Sequence, residues 1–211
     1  MKLSKGAAIT LLIAGLLVID QIIKIAVKLN MANGDSIFVF GQEWFQICFT
    51  ENSGFAFGMQ FGGDAGKVIL TLFRLVLIGF IIYFLKKRLL RDREVSTGVL
   101  VGVSLVLVGA IGNVIDCLFY GRLFSESTWF DVAAFLPEDG GYAPLLMGKV
   151  VDMFYFPIID TTLPEWVPFK GGERFIFFRA IFNFADACIS VGAVYLLLFQ
   201  RRNLFKYFEH R

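Results

Sequence analysis

Asp20, Asp116, Asp152 and Asp186 each interrupt an apolar stretch of this 211-residue chain, and their surroundings leave few kinds of chemistry open to them. The only histidine is His210, near the chain end, so a metal site is not expected and no cofactor is called for. The three cysteines are an odd number, and Cys117 and Cys188 fall within or at the ends of apolar runs, so no disulfide framework is readable. No persuasive nucleophile is present. Paired carboxylates remain. One ionised carboxyl takes a proton from water while its protonated partner hydrogen-bonds a carbonyl oxygen, a division of labour that hydrolyses a peptide. Two like charges a few ångströms apart do not both ionise easily, and low dielectric reinforces this.

Spacing groups these acids with other polar residues. Asp20 and Lys24 are four apart, Asn113 and Asp116 three apart, and Asn183 and Asp186 three apart, each pair on one helical face. Any single pair is explained by helix-to-helix hydrogen bonding. Measured in helical rise, Asp20 lies roughly 13 Å below the outer end of its run, and Asp186 and Arg74 reach a similar depth. Convergence of four helices on one level favours a site over simple locking, because an ionisable group inside a membrane is costly. Asp152 stands apart from the helices in Val150-Val151-Asp152-Met153-Phe154, where it could meet the fourth helix with Asp186 as its partner. Residue types alone do not choose among the four aspartates.

The elements that carry these residues follow from hydropathy. The chain is 57% hydrophobic with a mean hydropathy of +0.70, beyond the range of soluble domains. Apolar runs at about 7–29, 66–85, 98–119 and 177–199 are each long enough to span a bilayer. The first reads as a span and not as a cleaved signal peptide, because no small-x-small site follows and Asp20-Gln21 interrupts it. Lys2 and Lys5, the 86–93 basic run, and Arg201, Arg202, Lys206 and Arg211 place both termini and the second loop in the cytoplasm. Segment 30–65 contains Asp35, Glu43, Glu51 and Asp64 without Lys or Arg, and belongs outside. The basic run sets topology and is not a nucleic-acid site. Gly98 and Gly102 suit close helix packing.

Outside the membrane, Ile37–Phe40 and Trp44–Thr50 read as a small β-hairpin. Segment 120–176 holds all five prolines, and its many aromatics argue for packing on the membrane surface. The expected fold is therefore all-α and polytopic: one membrane domain of four transmembrane helices, with a small extracytoplasmic β platform in 30–65 and a long extracytoplasmic loop in 120–176.

Five stretches in order carry a resemblance. They are Asp20-Gln21 with Lys24; Asn52-Ser53-Gly54-Phe55-Ala56-Phe57-Gly58; Gly109-Ala110-Ile111-Gly112-Asn113-Val114-Ile115-Asp116; Val150-Val151-Asp152-Met153-Phe154; and Phe182-Asn183-Phe184-Ala185-Asp186. Together they resemble the lipoprotein signal peptidase (signal peptidase II) family over nearly the whole chain. The resemblance implies an aspartic endopeptidase of the bacterial cytoplasmic (inner) membrane, with its active site at the extracytoplasmic face. Its substrate would be a prolipoprotein cut on the amino side of a diacylglyceryl-modified cysteine, with membrane lipid around it and globomycin as inhibitor. It further implies Asp152 and Asp186 as the catalytic dyad, with Asp20, Lys24, Asn52, Gly54, Asn113, Asp116 and Asn183 lining or bracing the site.

Two departures stand out. The family follows its third-helix Asn-x-x-Asp with arginine, and this chain has Cys117, so Arg74 is expected to supply part of that charge, with Arg122 or Arg179 as alternatives. The loop around Asp152 is long for the family, and about 123–148 and 157–176 read as insertions forming a lid or a partner surface. A catalytically altered assembly factor of the same fold is the rival reading. A proton-coupled transporter is the other, opposed by polar residues that stop in the outer half.

Overall fold

The computed structural model describes residues 3–53 and 63–209. Among them, four helical lengths are long and apolar enough to cross a bilayer: Lys5–Lys28, Gly63–Leu89, Thr97–Leu123 and Phe184–Phe208. Helix α1 (Lys5–Lys28) is opened by Ser4, whose hydroxyl accepts a hydrogen bond from the Ala7 N–H at 3.1 Å. Helix α2 (Gly63–Phe84) continues into a π-helical turn, Leu85–Leu89. Helix α3 (Thr97–Ile115) passes through a π-helical turn, Asp116–Tyr120, into the short α4 (Gly121–Leu123). Helix α5 (Phe184–Tyr195) runs through a third such turn, Leu196–Gln200, into α6 (Arg201–Glu209).

More than half of the third length is buried while the other three face mostly outward, which makes α3 the axis of the bundle. Its glycines allow this. A Cβ at Gly109 would lie 2.1 Å from the Ala185 carbonyl oxygen, and one at Gly112 would lie 2.6 Å from Asp20 Oδ2. Without side chains at these two positions, α5 and α1 approach α3 closely enough for polar groups on three helices to touch.

The extended segments form one antiparallel sheet in the order β1-β2-β3-β6 and a separate hairpin, β4-β5. The strands are β1 (Ser36–Phe38), β2 (Gln46–Asn52), β3 (Val150–Tyr155), β4 (Ile159–Thr162), β5 (Arg174–Phe177) and β6 (Ile181–Phe182). The hairpin expected near 37–50 is thus half of a larger sheet, completed by β3 from the long loop and by β6 from the start of the fourth apolar run. Strand β3 pairs with β2 at Thr50↔Asp152 and Asn52↔Val150, and with β6 at Phe154↔Phe182.

The fourth helix begins at Phe184, later than the apolar run that opens at 177. Phe177 and Ile181-Phe182 are strand residues instead, since short apolar runs rich in aromatic and β-branched residues suit either state until capping decides. Asn183 decides it here. Its side chain accepts the Asp186 N–H while the Asp186 carboxylate accepts the Asn183 N–H, a reciprocal capping box. Asp186 consequently sits in the first turn of α5, not two turns into a span.

Two apolar clusters sandwich a polar layer. Along α1, Ile9, Leu12 and Ile13 belong to one cluster and Ile23 and Val27 to the other, which lies under the sheet with Phe49, Val151 and Met153. Asp20 and Lys24 fall at the join. Residues 124–149 fold back over the end of α3, where the carbonyls of Cys117, Tyr120 and Gly121 accept the N–H groups of Gly148, Phe124 and Ala143. The loop thereby satisfies carbonyls that a helix end leaves open.

Candidate active site

Asp152 and Asp186 come from different elements, and Asn183 joins them. The Asn183 Nδ2 donates to Asp152 Oδ1 at 2.7 Å, while its backbone N–H donates to Asp186 Oδ2 at 3.3 Å. The second oxygen of Asp152 accepts from Asn52 Nδ2 at 3.3 Å, and that of Asp186 from Asn113 Nδ2 at 2.7 Å. Each carboxyl is therefore held at both oxygens by amides from separate elements. Asp152 is buried and Asp186 half-buried. Burial, and next the charge of Asp186, push the Asp152 carboxyl up to about 7.

Beneath this pair lies a tier of full charges. Lys24 Nζ sits 2.7 Å from Asp116 Oδ2 and 3.2 Å from Asp20 Oδ2, and donates to Asn113 Oδ1 at 3.0 Å. Gln21 Nε2 donates to Asp20 Oδ2 and Asp116 Oδ1, and the Tyr120 hydroxyl donates to Gln21 Oε1. Asp20, Lys24 and Asp116 are fully buried. Asp116 also accepts the Val151 N–H at 3.3 Å, and Asp20 accepts the Ala185 N–H at 3.0 Å. Those are the backbone positions immediately before Asp152 and Asp186. The lower carboxylates thus grip the chain at the root of each upper one, as outer-sphere partners orient a reacting group. Asp116 opens the π-helical turn of the α3 length, a distortion common at functional sites.

A second buried ionic cluster lies behind the sheet, and sequence reading missed it. Lys28 on α1 pairs with Glu51 on β2 and donates to Ser127 Oγ at 2.9 Å. Glu51 Oε2 also meets Lys149 Nζ at 3.4 Å, a charge contact without hydrogen-bond geometry. Lys149 reaches Glu126 at 3.1 Å, and both lysines lie over the Tyr142 ring. The cluster latches the loop expected as an insertion onto the strand that carries Asn52. The available signal was spacing, since Lys28 follows Lys24 on the same helical face. Removing Glu51 leaves Lys28 buried without its counter-charge, so Glu51→Ala is expected to destabilise the fold by about 3–5 kcal/mol, whereas Lys28→Met with Glu51→Met should be near neutral. Thermal unfolding in detergent reads both; an undisturbed Glu51→Ala contradicts the latch.

Arg74 points from α2 to the end of the α3 length, where its Nη1 donates to Cys117 Sγ at 3.7 Å. Its neighbours Lys67 and Thr71 bond the loop carbonyls of Met147 and Leu146. Arg122 and Arg179, the alternatives to Arg74, are exposed. Gly54 lies outside the described residues, as does His210. Among the described residues, no group of His, Cys, Asp and Glu is arranged to hold a metal ion.

Comparison with known proteins bears on this arrangement. A family profile described as signal peptidase (SPase) II matches residues 12–201. The lipoprotein signal peptidase of Porphyromonas gingivalis is 49% identical over 197 residues, covering 93% of this chain and 84% of that protein. The lipoprotein signal peptidase of Amoebophilus asiaticus is 34% identical over 189 residues, covering 89% and 75%. Two solved bacterial membrane enzymes share the fold. One has a TM-score of 0.59 at 20% identity, covering 97% of this chain and 93% of its own. The other has a TM-score of 0.57 at 22% identity, covering 90% of each. With a family match running through almost every element that builds the polar layer, the chain belongs to the signal peptidase II family.

Proposed function

We propose that the protein is an aspartic endopeptidase that cuts prolipoproteins on the amino side of a diacylglyceryl-modified cysteine, with Asp152 and Asp186 as its catalytic dyad. The observation that carries this reading is the placement of two carboxyls around one asparagine at the mouth of α5, each amide-held at both oxygens. Asp152, pushed up to about 7 by burial and by its partner's charge, holds the shared proton. Asp186 takes a proton from the attacking water as the water oxygen bonds the scissile carbonyl carbon. Asp152 gives its proton to the carbonyl oxygen, producing a neutral tetrahedral diol. On collapse the C–N bond breaks, Asp186 returns its proton to the leaving amine and Asp152 recovers its own. Asp20, Lys24, Asp116 and Asn113 position the pair; Asn52 and Asn183 tune it.

In this reading the chain forms one unit in the inner membrane of a bacterium, with both termini cytoplasmic and the sheet and long loop on the outer side. The substrate's acyl chains stay in the bilayer while its scissile bond meets the dyad at the edge. The apolar cluster of Leu85, Leu89, Val99, Leu100, Leu107 and Leu196 below the polar layer speaks against a proton path through the bundle. The purified full chain should cleave a diacylglyceryl-modified prolipoprotein and leave the same precursor, unmodified, intact. Globomycin should block it. Equal cleavage of both precursors would contradict the substrate assignment.

The dyad's shared proton sets a pH dependence. Protonated Asp152 is lost as pH rises through about 7, so kcat/KM is expected to fall on the alkaline side of that value. The Asn52 hydrogen bond favours ionised Asp152, so its removal raises the pKa further and moves that limb to higher pH. Initial rates of Asn52→Ala across pH check this; an unmoved or acid-shifted limb contradicts it.

Arg74 supplies positive charge at the position where Cys117 offers none. Arg74→Ala is expected to lower kcat/KM on the order of tenfold, about 1.4 kcal/mol of transition-state stabilisation. Wild-type processing and stability in that variant would remove Arg74 from the site.

A further inference from the structure

The β4-β5 hairpin is built with two unlike faces. Cross-strand partners share a face, so Ile159 lies beside Phe177 and Thr161 beside Phe175 on one side, with Asp160, Ile176, Thr162 and Arg174 on the other. The second face is closed by Arg174, which donates through Nε and Nη2 to both oxygens of Asp160. On the first face Ile159, Phe175 and Phe177 remain exposed. An isolated two-stranded hairpin is marginal in water, so an apolar face of this kind calls for a cover.

The tip is ordered and yet directs its rings outward. Leu163 and Gly172 N–H groups bond the Glu173 and Leu163 carbonyls, and Gly171 bonds Val167, so the turn is hydrogen-bonded throughout. Even so, Trp166 is 79% exposed and Phe169 is fully exposed. Phe169 also has a φ of +66°, a conformation that is a genuine outlier for a bulky side chain. Backbone strain that displays a ring to solvent is unrewarded within the protein itself.

The hairpin's ends identify the cover. Strand β5 leads through Phe178 and β6 into α5, which opens the membrane-length helical stretch Phe184–Phe208, whose Val191, Val194, Leu197 and Leu198 face outward. Even fully extended, the chain between Phe177 and Phe184 reaches at most about 25 Å, so the hairpin cannot leave the neighbourhood of the bilayer surface. Tryptophan and its aromatic neighbours are the side chains that settle at that level.

We propose that the apolar face and aromatic tip of the β4-β5 hairpin rest on the outer leaflet, with Trp166 and Phe169 in the boundary between headgroups and acyl chains. Seating there has a consequence for the polar layer. Strand β4 follows β3, which carries Asp152, and β5 leads to Asn183 and Asp186. Phe182, next to Asn183, packs on Phe154, Phe156 and Phe178 at ring-centroid distances of 5.8–5.9 Å, so the hairpin's base and the acidic pair form one stack. Lipid contact at the tip fixes the height of that pair above the bilayer. The inference holds whichever residues catalyse.

The test is tryptophan emission of the full chain in phosphatidylcholine vesicles, taken as the difference between the parent and Trp166→Phe. This isolates Trp166 from Trp44 and Trp129 by changing one exposed ring, and a melting curve of the variant confirms an intact fold. The expected difference spectrum is blue-shifted and roughly halved by lipids brominated high on their acyl chains, with weaker quenching by bromines near the bilayer centre. A spectrum typical of indole in water, unquenched by brominated lipid and fully quenched by iodide, would overturn the proposal and assign the face to a soluble partner or to the substrate.

Discussion

Asp152→Asn and Asp186→Asn are each expected to lower kcat by roughly a thousandfold or more while leaving the fold intact, within the range set by loss of general acid–base catalysis. Asparagine keeps the shape and one acceptor oxygen, so one of the two hydrogen bonds that hold each carboxyl survives. What it removes is proton traffic. An amide at position 152 holds no transferable proton for the carbonyl oxygen, and an amide at position 186 offers no basic oxygen to the water. Because both groups act on one transition state, the double variant should be hardly worse than either single one. Single-turnover cleavage in detergent, with thermal unfolding alongside, separates lost chemistry from lost structure. A variant that unfolds with its activity would point to a merely structural pair.

Lys24→Met is the second large effect, and here the fold itself is expected to fail. Lys24 is the cation shared by Asp20 and Asp116, and all three are fully buried. Removing it leaves two carboxylates facing each other without water, a loss of about 3–5 kcal/mol. For a chain of this size that corresponds to a melting temperature roughly 10 °C lower. Activity should fall with stability, because Asp116 and Asp20 hold the Val151 and Ala185 N–H groups beside the dyad. Lys24→Met combined with Asp116→Asn restores the original net charge and should recover part of the melting temperature. If Lys24→Met melts like the parent, the lower tier does not bear the positioning role given to it.

The residues that form the polar layer were legible because chemistry and position coincide in them. An aspartate among valines, or an asparagine three residues before an aspartate, departs from what a membrane segment tolerates, and helical spacing then assigns it a face. Their partners were not legible. Hydropathy alone does not state that Asp116 reaches Val151 or that Asn183 bridges two carboxyls, because those contacts depend on how β3 leans against the start of α5. The start of α5 is obscured for the same reason: 177–182 is apolar enough for a span, and only pairing with β4 and β3 makes Phe177 and Ile181-Phe182 strand. Glu51 carries no signal in the sequence beyond ordinary charge, and Lys28 only its spacing from Lys24, until the loop through Tyr142 and Lys149 folds over them. The segment of about 123–148, expected as a lid or partner surface, contributes Ser127 and Glu126 to the ionic latch behind the sheet.

The position of the cut is what the proposed chemistry fixes most narrowly, and mass spectrometry of the products reads it directly. Purified protein incubated with a diacylglyceryl-modified prolipoprotein should release one signal peptide ending at the residue before the modified cysteine, and a mature chain beginning with that cysteine. No product from the folded parent, or a cut at any other bond, would contradict the assignment.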